Sequence, residues 1–112
     1  MAEKDLGKTS TGMKANVAAV LSYLLGFITG IIFYLIEKEN KFVRFHAMQS
    51  MVTFGALWVL SIAVWVIPFI GGLLAPLIYI LEFILWIILM IKAYQGEYFK
   101  LPIAGDIAEK NS

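Results

Sequence analysis

The chain has 112 residues, 61% hydrophobic and 15% charged, with nine basic and eight acidic side chains, no cysteine and a mean hydropathy of +0.83. Soluble domains run at about 45–50% apolar and about 25% charged, so the natural solvent is lipid, and the length leaves room for one compact unit. A net charge of +1 offers no field for nucleic acid, and the absence of cysteine excludes disulfides, thiolate nucleophiles and cysteine metal sites.

Residues 1–14 mix Gly, Ser, Thr, Lys and Asp with no apolar period and read as a disordered tail. Val17 to Ile36 then supplies 20 uncharged residues between Lys14 and Glu37, the length that crosses about 30 Å of hydrocarbon as a helix. A cleaved signal peptide is the competing reading. The run is longer than a signal core, and no small-x-small site precedes Glu37-Lys38-Glu39, so it is expected to be a retained span. Ala47 to Ile67 forms a second run of 21 residues and Leu73 to Ile91 a third of 19, closed by Lys92. Between them Pro68, Gly71, Gly72 and Pro76 mark a break, since proline removes a donor and glycine admits a left-handed turn.

The expected architecture is therefore all-α: an integral membrane bundle of three transmembrane helices over residues 15–94. The alternative is four helical segments, with 68–76 re-entering the bilayer or lying at its surface. Residues 95–112 are polar but carry Tyr98, Phe99, Leu101, Ile103 and Ile107, the spacing of a strip lying on the headgroups. Lys38, Lys41, Arg44, Lys92, Lys100 and Lys110 fall on one side of a three-span chain, against Lys4, Lys8 and Lys14 on the other. The excess of basic residues in cytoplasmic loops then predicts the N-terminus outside and the C-terminus inside.

Between Ala47 and Ile91 the one charged side chain is Glu82, nine residues from either end of the third run. An ionised carboxyl at that depth is costly unless paired, and intramembrane acids mark sites. The chain offers Tyr23, Thr29, Thr53 and Ser61 at similar depth. Glu82 is expected to be neutral and hydrogen-bonded to one of them, as a structural group or as part of an ion or proton relay. His46, Gln49, Ser50 and Thr53 recur at i, i+3, i+4 and i+7, with Arg44 before them: a polar stripe that either lines a wet vestibule or joins helices. Ser22, Gly26, Thr29 and Gly30 share a face that includes Gly-x-x-x-Gly, which lets backbones approach closely, within the chain or in a homodimer. A lone histidine makes no metal site. No phosphate loop, nucleophilic triad, carboxylate pair or cofactor pattern is present, so neither enzyme nor cofactor is expected.

Three stretches carry a family resemblance: NVAAVLSYLLG (16–26), ENKFVRFHAMQS (39–50) and YQGEYFKLPIAGDIAE (94–109). The chain resembles the small prokaryotic membrane proteins grouped with the twenty-kilodalton subunit of the chloroplast Tic translocon. The similarity is close for the prokaryotic group and looser for the four-span plastid protein. It implies an uncharacterised integral membrane protein, and through the plastid relative it suggests transport or translocation. Arg44, His46, Gln49, Gly96 and Glu97 lie inside the matched stretches and Glu82 does not. Two functional readings follow. One is a transport-class component working as a homo-oligomer or with a membrane-protein partner. The other is a non-conducting scaffold whose partner is the bilayer itself or another subunit.

Overall fold

A computed structural model describes residues 6–112. Among them the structure is all helical: α1 (Ala15–Leu24), α2 (Phe27–Ile36), α3 (Lys41–Trp65), α4 (Ile70–Tyr94) and α5 (Ala104–Lys110). The first apolar run is thus not one helix. It breaks at Leu25 and Gly26, and Gly26 adopts φ 64°, ψ −133°, a region open to glycine and closed to most L-residues.

The two halves run in opposite directions. Asn16 Nδ2 donates to the Tyr94 carbonyl at the C-terminal end of α4, and the Trp86 indole donates to Tyr23 O further along. α1 therefore climbs antiparallel to the last third of α4. α2 descends along α3: Phe27 packs against Trp58, Gly30 lies against Ala47 and Ser50, and Arg44 donates to the carbonyls of Tyr34 and Glu37. A β-carbon added at Gly30 would stand 2.9 Å from Ala47 O, so glycine sets this approach.

Length decides what each element can do. At 1.5 Å per residue, the 10-residue α1 and α2 each rise about 15 Å, half of the roughly 30 Å hydrocarbon layer. The 25-residue α3 and α4 rise about 37 Å and are long and apolar enough to cross it. The expected first span is not one helix: α3 and α4 are the two described helices long and apolar enough to cross, and the 17–36 run is a hairpin of two 10-residue helices. The alternative of a separate piece at 68–76 does not form either, because most of that stretch is helical. At 68–76 the break is confined to Val66–Phe69, where the Ile70 N–H bonds to Pro68 O over Phe69 at φ 66°. Gly71, Gly72 and Pro76 all lie inside α4. Gly71 is needed there, because a β-carbon would meet Val64 O at 2.5 Å.

Residues 6–13, part of the expected disordered tail, instead run against the loop that follows α2. The Ser10 N–H donates to Glu37 Oε2, and Asn40 Nδ2 donates to the carbonyls of Leu6 and Lys8. Residues 1–5 of that tail lie outside the described residues. Residues 95–103 cross α3 as a strap and α5 packs on α3, with Tyr98 edge-on to Phe42 and Phe45. The N-terminal segment, the 37–40 loop and the C-terminal segment accordingly meet at one end of the α3–α4 pair. The expectation of termini on opposite faces required an odd number of crossings, whereas these contacts bring residues 10, 37–40 and 95–111 to one end of the α3–α4 pair.

The core sits entirely at that end. Ala18, Ala19, Tyr23, Phe42, Val43, Ala47, Leu89 and Ala93 are buried there. From Gly55 to Trp86 the buried residues are Ser61, Val64, Gly71 and Ala75 alone. At that far end, α3 and α4 have only each other. Single cysteines replacing Ser10, Lys38 and Ser112 should all react with an impermeant maleimide from one face of sealed vesicles, and a cysteine replacing Phe69 from the other. Reaction of Ser10→Cys and Ser112→Cys from opposite faces would restore the odd-span topology.

Candidate functional site

At the centre of the buried end, Tyr23 of α1 meets His46 and Gln49 of α3. All three side chains are fully buried. His46 Nε2 lies 2.8 Å from the Glu97 carbonyl, which can only accept, so Nε2 carries the proton and Nδ1 accepts from the Tyr23 hydroxyl at 2.6 Å. Gln49 Nε2 donates to Tyr23 Oη at 3.0 Å and to Phe99 O at 2.8 Å, while Gln49 Oε1 accepts from Leu101 N at 2.9 Å. Two α3 side chains one turn apart thus satisfy three backbone groups of the strap. Phe42, Phe45 and Tyr98 wall the imidazole, with ring centroids 4.6, 5.0 and 6.5 Å from it.

The hairpin tip is equally closed. Breaking a helix in lipid strands backbone groups that water cannot satisfy. Here the Thr29 hydroxyl donates to Ser22 O and accepts from Leu25 N, both at 3.1 Å. Tyr23 O takes the Trp86 indole N–H at 2.7 Å, and Gly26 O takes the Ser50 hydroxyl at 2.8 Å. The sequence-level stripe is therefore internal: His46, Gln49 and Ser50 each bond to another part of the chain. Arg44 caps the C-terminal carbonyls of α2 and lies 4.1 Å over the Tyr34 ring. Thr53 Oγ1 is buried without a partner.

Sequence reasoning missed Glu37, treating it as a span boundary. Its side chain is fully buried, and Oε2 accepts from the backbone N–H groups of Ser10, Glu39 and Asn40 at 2.8–3.1 Å. Burial opposes ionisation, yet these amide donors, Ser10 foremost, hold its pKa below the ordinary value of 4.5. The available signal was an acid three residues before Asn40, which caps α3 through Val43 N. The Trp86 anchor and the strap carbonyls carried no signal, since no side-chain pattern announces them.

The expected intramembrane cluster does not assemble. Glu82 lies midway along α4, half-buried, on a cleft at the hairpin tip, and none of the described hydrogen bonds or ion pairs involves its carboxyl. Tyr23 is engaged by His46 and Gln49, Thr29 by the hairpin break, and Ser61 by Trp58 O in its own helix at 2.7 Å. The break between α1 and α2 turns Thr29 toward backbone groups needing partners, while Tyr23 is taken up by side chains of α3 and Ser61 by its own helix. The Gly26–Gly30 face packs on α3 within the chain, with Gly26 against Phe54 and Gly30 against Ala47, Ser50 and Met51.

Comparison with known proteins places this chain's sequence among prokaryotic membrane proteins. Residues 8–108 match the model of the family described as the magnetosome magnetite crystal formation protein family. A UPF0132 membrane protein of Methanocaldococcus jannaschii is 57% identical over 107 residues, covering 96% of both chains. One from Archaeoglobus fulgidus is 59% identical over 98 residues, 88% of this chain and 95% of its own. A second M. jannaschii protein of that name is 52% identical over 88% of this chain and 71% of its own. No solved structure matches. These relatives support the prokaryotic side of the resemblance read from the sequence.

Removing the Gln49 side chain leaves Leu101 N and Phe99 O without the partner they have in a partly buried setting, where a lost hydrogen bond costs about 0.5–1.5 kcal/mol. Gln49→Ala should therefore lower unfolding stability in mild detergent by about 1–3 kcal/mol, and a Tyr23→Phe/His46→Ala double-mutant cycle should return a coupling of about 0.5–3 kcal/mol. Glu37 predicts the acid response. Its folded pKa is depressed, so its contribution is fully present above 4.5, the ordinary value, and is lost as pH falls through the lower folded value. A spin label replacing the side chain at Thr11 should become mobile below that point, and in Glu37→Gln it should be mobile at pH 7 as well.

Proposed function

We propose that this chain, which belongs to the magnetosome magnetite crystal formation protein family, is a non-conducting membrane scaffold that fills one leaflet of the bilayer more than the other. The observation behind this reading is the half-depth hairpin. Four helices, α1 to α4, pack together at the hairpin end and α3 and α4 alone continue beyond it, so that with α3 and α4 crossing the bilayer one leaflet would hold four helices and the other two. Two additional helices of roughly 10 Å diameter in one leaflet make a wedge, and a wedge is best accommodated where its wide end lies on the convex side of a curved membrane.

Charge supplies the orientation. All eight described basic residues, Lys8, Lys14, Lys38, Lys41, Arg44, Lys92, Lys100 and Lys110, belong to segments at the wide end, and the 66–69 turn has none. By the bias of Lys and Arg toward the cytoplasm, the wide end, with residues 6–14 and 95–112, is cytoplasmic. Exposed Ile28, Ile31, Ile32 and Leu35 on α2, with Ile84, Ile87, Ile88 and Ile91 on α4, are apolar surface for lipid. The partner is the bilayer, with no enzymatic step and no cofactor. The crystal-formation role in the family's description belongs to the family; the scaffold reading rests on the shape of this chain.

The competing reading, a translocation component like the plastid subunit the sequence resembles, needs a continuous polar path. The stripe that would have lined it spends His46, Gln49 and Ser50 on internal hydrogen bonds, which favours the scaffold. Reconstitution in liposomes at increasing protein-to-lipid ratio distinguishes the two. Electron cryo-microscopy should find vesicle diameter falling or tubules forming, and enclosed pH- and potassium-sensitive dyes should report no protein-dependent leak. Unchanged vesicle size would overturn the wedge, and a dose-dependent flux would restore the transport reading.

A further inference from the structure

The hairpin tip ends beside the middle of α3 and α4 and leaves a shallow, open cleft of about 350 Å³ there. Six aromatic side chains line it: Phe27 from the tip, Phe54 and Trp58 from α3, and Tyr79, Phe83 and Trp86 from α4. The frame is built before any ligand arrives. Phe27 and Trp58 pack with centroids 5.5 Å apart and Phe83 and Trp86 at 6.1 Å. The Trp86 indole is tied to Tyr23 O, and the Trp65 indole donates to the Tyr79 hydroxyl at 3.2 Å.

The one acidic group on this cleft is Glu82, twelve residues from either end of α4 and without a protein partner among the described residues. Nor can the chain bring it a cation. No lysine or arginine occurs between Phe45 and Ile91, so neither this molecule nor a second copy holds a positive side chain at that depth. An ionised Glu82 needs a counter-charge from outside the protein. Aromatic faces around a carboxylate are the surroundings that receive a desolvated organic cation, because ring faces carry negative potential.

We propose that the cleft binds membrane-soluble organic cations, ammonium or phosphonium centres with apolar substituents, with the Glu82 carboxylate as counter-charge and the aromatic walls receiving the cation. The occupant enters sideways from the lipid, where such cations partition. The ionised Glu82 carboxylate supplies the counter-charge, so a proton competes with the cation and binding strengthens as pH rises. The groups facing Glu82 leave it as the one titrating acid. The hairpin tip contributes Gly26 and Phe27, α3 contributes Phe54 and Trp58, and α4 adds only the Tyr79 phenol as a further ionisable group.

The test is equilibrium binding to the full chain in phosphatidylcholine nanodiscs, with tetraphenylphosphonium and the isosteric anion tetraphenylborate as probes. Tetraphenylphosphonium should bind saturably at pH 8 and at least tenfold more weakly at pH 5, and tetraphenylborate should show no saturable component. Glu82→Gln should weaken the phosphonium at least tenfold at pH 8 and abolish the pH dependence, with helicity by circular dichroism unchanged. Phe83→Leu, which keeps an apolar side chain and removes a ring face, should weaken it severalfold while preserving the pH dependence. Equal saturable binding of both probes, or wild-type affinity in Glu82→Gln, would overturn the proposal in favour of an apolar cleft without charge recognition. Should Glu82→Gln fail to fold, a pH-independent wild type would overturn it equally.

Discussion

The whole arrangement depends on turning a chain around inside hydrocarbon. A helix reversal exposes carbonyl and amide groups that lipid cannot satisfy, and each unsatisfied group costs several kcal/mol. Gly26 supplies the backbone conformation, and Thr29, Ser50 and Trp86 supply the partners. Those partners come from three different elements, so the turn can exist only where α2, α3 and α4 are already packed around it. The re-entrant hairpin and the bundle end that encloses it are one cooperative object.

From that constraint the rest follows. With α1 and α2 folded back, the segments before and after them emerge together, and Glu37 joins them by receiving the Ser10 amide on the same oxygen that binds Glu39 and Asn40. Tyr23, carried to the tip by α1, directs its hydroxyl back toward the bundle end, where His46 and Gln49 use it and then reach out to fasten the strap. Polar side chains in the apolar region act here as fasteners for backbone. A network with every member satisfied specifies one geometry, and the loss of one member leaves several groups stranded.

The same asymmetry explains what is left over. The wide end consumes its polar groups, whereas the narrow end has two helices and cannot enclose Glu82. A carboxyl that the fold leaves without a partner, set among rings that the fold does position, is the feature of this molecule that a packing argument alone does not account for. The proposed wedge and the proposed cation cleft are separable readings of one hairpin: the first depends on its width, the second on where its tip stops.

Composition and apolar runs by themselves determined that the chain belongs with lipid, that it is helical, and that 47–65 and 73–91 lie within long apolar helices, because burial of that much continuous apolar chain has no other solvent. They also marked His46, Gln49 and Ser50 as polar groups on one helical face, and Gly26 and Gly30 as points of close approach. Only the tertiary structure decided that 17–36 reverses. Twenty apolar residues satisfy the length rule for a span equally well straight or folded in half, and the choice rests on whether Thr29, Ser50 and Trp86 stand where the broken backbone needs them. The topology, the role of Glu37 and the isolation of Glu82 all hang on that choice, since each is a relation between residues tens of positions apart that no local pattern encodes.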